Sequence, residues 1–428
     1  MSEAISIENQ KVPAIEVFAK EGLPTEALVK EGYKKTKLGW IPEDWDLIKL
    51  EELTTKISDG IHTTPTYSNK TSYFFINGNN LIKNKIVITE NTKCVDKKEY
   101  LKHQKDLTER TILLSINGTI GNIAFYANEN VVLGKSVAFL NIKISVSKEY
   151  ISYQLQAHKI LSHFKKLVTG STIKNLGIGS IKNTKIPLPP LPEQEKIAAT
   201  LSSWDNAIGK QEQLIAAKQH YKKGLMQLLL TGKKRFEGFD EGWEEVKLGE
   251  VTTINPQLKA LPDKFIYIDL ESVKSGKLVK RNLILKENAP SRAQRLLKIS
   301  DILFQTVRPY QKNNLFYESD EISVASSGYA QIRTNQNSRF IFHLLHTEVF
   351  VNKVLARCTG TSFPAISPTD LKKIKINLPT IDEQKKIASV LSAADKEIVM
   401  LQKQFTGLME QKRGLIQNLL TGNIRIEL

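Results

Sequence analysis

From Ile387 the apolar positions recur at alternating steps of four and three residues, through Leu391, Ala394, Ile398, Leu401, Phe405, Leu408, Leu415 and Leu419, with Lys412 in the one polar slot. That spacing holds a stripe on one helix face and is a heptad seam. A second seam runs through Ile197, Leu201, Trp204, Ile208, Ile215, Leu225 and Leu229, interrupted by Gln211, Lys218 and Lys222. Each is preceded by a Leu-Pro turn (Leu188-Pro189, Leu378-Pro379), starts at Glu-Gln-x-Lys-Ile-Ala (193–198, 383–388) and stops at Leu-Leu-Thr-Gly (229–232, 419–422). Proline is excluded from a helix interior, carboxylates favour the first turn and glycine suits the position past the end. A helix over 193–230 would be about 57 Å long at roughly 1.5 Å per residue. The two stripes predict a paired rod, the alternative being that each helix packs on its own globular domain.

The seams belong to a longer duplication. Thr169–Phe236 and Thr359–Ile426 align without a gap at an offset of 190, and 25 of the 68 positions are identical. A second repeat follows the opening Gly39-Trp40-Ile41-Pro42-Glu43-Asp44-Trp45: at an offset of 198, Trp45 matches Trp243 and Lys49-Leu50 matches Lys247-Leu248 within Gly242-Trp243-Glu244-Glu245-Val246-Lys247-Leu248. Between opening and helix the residues differ while the order of elements repeats. Strands are predicted at 73–76, 85–89, 111–115, 123–126 and 137–142 and a helix at 148–167. The second half places strands at 265–270, 301–306, 314–317 and 330–333 and a helix at 337–357. The fold class expected is α+β, a tandem pseudo-symmetric repeat: an arm at 1–36, a first globular domain at 37–190, a helix at 191–232, a second domain at 233–380 and a helix at 381–428. A duplicated scaffold with two unlike inserts suits recognition of two unlike targets at a fixed separation.

Composition sharpens this. A net charge of +16 on a chain with ordinary hydrophobic (41%) and charged (25%) content points to phosphate polyanions. The charge is concentrated: Lys274–Lys312 holds ten basic and two acidic residues, and Lys159–Lys185 six lysines and no acid. No apolar run approaches the roughly 20 residues of a membrane span and the first twenty residues have no secretory pattern, so no membrane association and a cytoplasmic location are expected. Two cysteines, Cys94 and Cys358, predict neither a disulfide framework nor a cysteine zinc site.

Taken together, Gly-Trp-Ile-Pro-x-x-Trp (39–45), the Thr-Gly-Ser/Thr loops (169–171, 359–361), Pro-Leu-Pro-Pro-Leu-Pro-Glu-Gln-x-Lys-Ile (187–197) and the Leu-Leu-Thr-Gly helix ends resemble the DNA-specificity subunits of type I restriction and modification systems, over nearly all of the chain from Lys34. The insert 290–313 and the run Asp59–Pro65 look like recurring kinds of target recognition domain. The resemblance implies two target recognition domains, each reading half of a split, asymmetric double-stranded DNA sequence, separated by two long antiparallel coiled-coil helices. It implies no catalysis and no cofactor in this chain. The implied partners are two methyltransferase subunits using S-adenosylmethionine to methylate adenine, and restriction/translocase subunits using ATP and Mg. The 36-residue arm and Pro192 opposite Asp382 depart from the family pattern. A stand-alone coiled-coil DNA-binding scaffold is the alternative, as is a related system with another catalytic partner. The helix residues Leu225, Met226, Leu228 and Ile416 are expected to be exposed for docking other subunits.

Within that frame the candidate DNA contacts are polar loop residues, since guanidinium suits guanine, amides suit adenine, and hydroxyls or lysines suit phosphate. In the first domain they are His62, Thr63, Thr64, Tyr67, Lys70, Asn77, Asn79, Asn80, Asn117, Ser171, Thr172 and Lys174. In the second they are Arg292, Arg295, Arg308, Tyr310, Gln311, Lys312, Thr361 and Ser362. Arg308 precedes Pro309 and is expected to be extended. The Thr-Gly loops recur in both halves, which suits phosphate positioning. Gly134-Lys135-Ser136 lacks the upstream glycine of a phosphate-binding loop. Glu245-x-Lys247 has lost its carboxylate in the repeat, and His343 and His346 are expected at the surface or the core edge rather than on a metal.

Overall fold

The structure is a computed structural model that describes residues 31–170, 174–257 and 260–427; most of the arm, and Ser171 and Thr172, lie outside them. The chain divides into two compact units. The first combines the residues up to Ser202 with those from Arg413 onward, and the second is Ser203–Lys412. The division falls inside both long helices, Leu191–Leu229 and Ile381–Leu419, so each unit takes the start of one and the end of the other.

Both units are α+β and share a framework. In the first, a four-stranded sheet runs in the order Ile123–Phe125, Thr111–Ser115, Val137–Ile142, Thr54–Asp59; in the second, Leu315–Phe316, Ile302–Gln305, Tyr329–Thr334 and Thr252–Ile254 follow the same order. Each unit has a second four-stranded sheet built on a parallel pair, Phe74–Ile76 with Val131–Leu133 and Lys264–Ile268 with Ser323–Ser326, but the strands added to that pair differ. The opening strand of each unit, Asp46–Lys49 or Glu244–Lys247, pairs antiparallel with the strand before the long helix, Lys185–Leu188 or Lys375–Leu378. Of the expected arm, Tyr33–Thr36 forms a hairpin with Gly39–Pro42.

The helices predicted at 148–167 and 337–357 are each two helices. The second break is legible: Thr347 caps Glu348–Leu355 by accepting from the Phe350 amide. The first falls at Ala157, extended at ψ 140°, between Lys148–Gln156 and His158–Leu167, and the local sequence carries no breaker. A tertiary bond holds the preceding turn instead: buried Gln154, which donates to the Tyr150 hydroxyl one turn back, also donates to the distant Leu420 carbonyl.

Along both long helices the seam positions are the shielded ones, the polar slots included. In the second unit those slots carry bonds between the helices. Gln211 donates to the Leu401 carbonyl, Lys218 pairs with Glu397, Lys222 with Asp395 at 2.5 Å, and Lys412 with Asp205. As one partner number rises the other falls, so these segments run antiparallel. Of the four helix residues expected to be exposed, Leu228 is, whereas Leu225 and Met226 pack on the core of the second unit and Ile416 on that of the first. Among the described residues no helix is long and apolar enough to cross a membrane.

Candidate nucleic-acid interface

The frame that positions the candidate loops is built on two buried carboxylates. Glu193 and Glu383, fully shielded in the first helical turns, each accept from the indole of the domain opening, Trp45 or Trp243, both at 3.2 Å. An arginine completes each set: Arg235 reaches Glu383 through Nε and Nη2 at 3.0 and 2.7 Å, and Arg425 reaches Glu193 at 2.7 and 2.9 Å and also clasps Asp44. Hydrogen bonds donated to Asp44 and Glu193 hold the Arg425 guanidinium well above its ordinary range, and those donated to Glu383 raise Arg235. The following glutamines tie the helix start to the neighbouring helix pair: Gln194 accepts from the Ser147 amide and Gln384 from that of Asn337. The Glu-Gln repeat is thus an internal anchor, a role beyond the first-turn preference that explains where it stands in sequence.

Above this frame the loops coincide at the repeat offset of 190. Thr169 bonds Asn175 through both backbone groups, as Thr359 does Ala365. Leu176 donates to the Ile116 carbonyl and Ile366 to that of Thr306; Gly118 donates to Lys174 at 3.3 Å and Arg308 to Pro364 at 2.7 Å. Each Thr-Gly loop is therefore stitched to the segment leaving a central strand. Gly170 (φ 93°) and Gly360 (φ 89°) are left-handed, and a Cβ on Gly360 would meet the Phe363 carbonyl at 3.1 Å, which accounts for both glycines.

In the first unit this brings Asn117 and Lys174 together, and the segments around them contain most of the other candidates. Gly60 and Ile61 bond the 133–137 turn, and Ser136 accepts from Gly78 and donates to Asn77. Gly134 is glycine because a Cβ would lie 2.4 Å from the Asn77 Oδ1; Gly134-Lys135-Ser136 is a packing turn. Asn80 spends its amide inside the fold, accepting from Asn77 and donating to Val87, whereas Asn79 is exposed. Thr63, Thr64 and Lys70 are exposed, and exposed His62 bonds Asp59 at 2.8 Å. Tyr67 presents one face to the Lys93 ammonium, 4.2 Å from the ring centre.

In the second unit the Arg292 carbonyl accepts from Ser327, Gly328 accepts from Thr306, and Thr306 leads to Arg308 beside the Thr359–Ala365 loop. Arg292, Tyr310, Thr361 and Ser362 are exposed there. Gln311 is engaged by Gln305 and Lys312 by Glu348, both within the unit. Arg295 is half-buried and its ionisation is depressed by desolvation. Arg308 departs from the extended backbone expected before proline: it is left-handed (φ 53°, ψ 55°), capping the turn Pro309–Gln311. Its amide is drawn to Pro364, and its guanidinium lies over the ring of Phe363, 4.2 Å from the centre, a partner no sequence motif marks. His343 and His346 lie at the core edge rather than at the surface. Both line a cleft of about 1110 Å³ within this unit, and His343 is only 1% exposed. Desolvation pushes His343 down to about 3 and His346 to about 4.

The family described as the type I restriction modification DNA specificity domain matches residues 42–217 and 240–406. Two specificity subunits of Methanocaldococcus jannaschii type I restriction enzymes, MjaX and MjaVIII, are 29% and 26% identical, over 93% of this chain in each case and 98% and 97% of their own. Among solved structures, the S subunit of a type I restriction-modification system from M. genitalium superposes with a TM-score of 0.56 at 16% identity, covering 94% of this chain and 99% of that one. With both halves matched by the family and folded on one framework, the chain belongs to the DNA specificity subunits of type I restriction-modification systems, the subunits that recognise DNA sequence and are not themselves catalytic.

Proposed function

We propose that this subunit reads a bipartite, asymmetric double-stranded DNA target, one unit per half-site. On this reading it positions two methyltransferase subunits for adenine methylation and the motor and nuclease subunits for cleavage. The carrying observation is the pairing of a repeated framework with unlike loops: backbone bonds at 116–118 and 174–176 recur at 306–308 and 364–366 while the side chains they present differ. The two long helices are proposed to wind as an antiparallel coiled coil that fixes the separation of the half-sites. S-adenosylmethionine, ATP and Mg would be used by the partners, with none bound here.

Co-expression with a type I methyltransferase subunit from the same source, in a host free of adenine methylation, followed by genome-wide mapping of modified adenines, tests the reading. A split motif with a constant gap is expected. A stable complex that modifies nothing would overturn adenine methylation as the chemistry of the pair, and no complex at all would overturn the assignment of partners and favour a stand-alone DNA-binding scaffold. Deleting one heptad from each helix should shorten the gap; an unchanged gap would defeat the ruler.

A further inference from the structure

We infer that Arg308, stacked on Phe363, forms a guanine-reading subsite of the second unit, and that Phe363 is its positioning residue. The inference rests on the DNA-reading role proposed above and deepens it. Positions 118 and 308 are equivalent: both donate their amide to the residue 56 places on, Lys174 or Pro364, and both are left-handed, at φ 70° and 53°. The first unit fills this position with glycine, the residue that adopts such a backbone at no steric cost. In the second unit an arginine stands there instead, before a proline, so the disfavoured conformation is accepted for the sake of a side chain.

That side chain is prepared for recognition. Its guanidinium lies on the face of Phe363, a ring left 62% exposed, and its Nε is buried with no hydrogen-bond partner. Among the described residues no carboxylate pairs with it. The donors left to act are Nη1 and Nη2, the end-on fork of a planar group whose orientation the stack sets. Such a fork matches O6 and N7 of guanine in the major groove. A phosphate contact would serve any sequence and belongs to the repeated frame. Here both partners change together between the halves, Gly118 and Ile173 standing where the second half has Arg308 and Phe363. A pair confined to one half belongs with what distinguishes the half-sites.

The test uses the full chain in complex with its methyltransferase. Once the wild-type motif is mapped, R308A is expected to relax a single guanine in one half-site and leave the other half-site unchanged. F363L should relax the same position partially, and F363W, which keeps an aromatic face, should retain it. In binding assays on the mapped duplex, replacing that guanine by 7-deazaguanine should weaken the wild-type complex roughly tenfold to a hundredfold, while R308A should bind both duplexes equally. An R308A motif identical to wild type overturns the inference. So does an equal loss on every duplex, the mark of a phosphate contact. Absence of any split motif in the wild type is a different failure, since it removes the DNA-reading role itself.

Discussion

His343 shows how far a residue's environment can separate it from what its sequence position suggests. The i, i+3 spacing with His346 reads as one helix face, but the helix ends at Leu344 and His346 lies in the turn that follows. Both rings line the cleft, where desolvation and then the nearby Lys222 disfavour the His343 cation. His346 and Arg339 act in the same sense, while Asp395 lies 3.9 Å from Nε2 and remains partly exposed. An imidazole that ionises near 6.5 when unfolded but at about 3 in the fold takes up protons preferentially in the unfolded chain between those values. Stability is therefore complete above about pH 6.5 and falls as the pH drops through the window, by up to ~1.4 kcal/mol per pH unit for one such group. In H343L the melting temperature should decline less between pH 7 and 5 than in the wild type. Parallel declines would show that the acid sensitivity resides elsewhere. Arg308 was misread for a related reason: the rule for residues before proline concerns the local chain, and a backbone bond to Pro364 from another loop outweighs it. Glu193 and Glu383 were visible as a repeat, but their burial with Trp and Arg partners far away in sequence was not.

At the level of elements, periodicity carried most of the information. The seams were legible because a four-three spacing over so many turns leaves few alternatives, and the polar slots that seemed to weaken them hold bonds between the helices. Burying Lys222 in a seam is tolerable because Asp395 meets its ammonium at 2.5 Å. Asp395 is 39% exposed, so water and salt screen the pair. A double-mutant cycle on K222A and D395A should return a coupling of about 0.5 kcal/mol that shrinks as salt is raised. The exchange K222D with D395K should restore stability that K222D alone loses. A coupling indistinguishable from zero would leave the pair without a part in setting register. Strand cores such as Thr111–Ser115 and Val137–Ile142 were also readable, being apolar runs between turn residues. The division of the helix at Ala157 was not, because the bond from Gln154 to Leu420 is decided by the rest of the unit.

For the whole molecule the informative feature is circular order. The second unit meets its elements as helix end, Arg235, Trp243, sheets, Glu383. The first unit begins with Trp45, continues through its sheets to Glu193, and obtains its helix end and arginine from Leu419, Leu420 and Arg425. Sequence comparison showed the matching segments, and only the fold shows that the last of them completes the first unit. Each carboxylate is shielded from water, so removing its arginine leaves a buried charge bonded to indole alone. R425A should accordingly lower hydrogen-exchange protection in the first unit, around Trp45, Glu193 and Gln154, and leave the second unit near its wild-type values. R235A should do the converse around Trp243 and Glu383. Protection lost equally throughout both units in either variant would mean that they do not fold as separately completed cores. A selective loss would also predict the functional result: R425A should blur recognition of one half-site and R235A of the other, because each arginine secures the frame from which only its own unit's loops project.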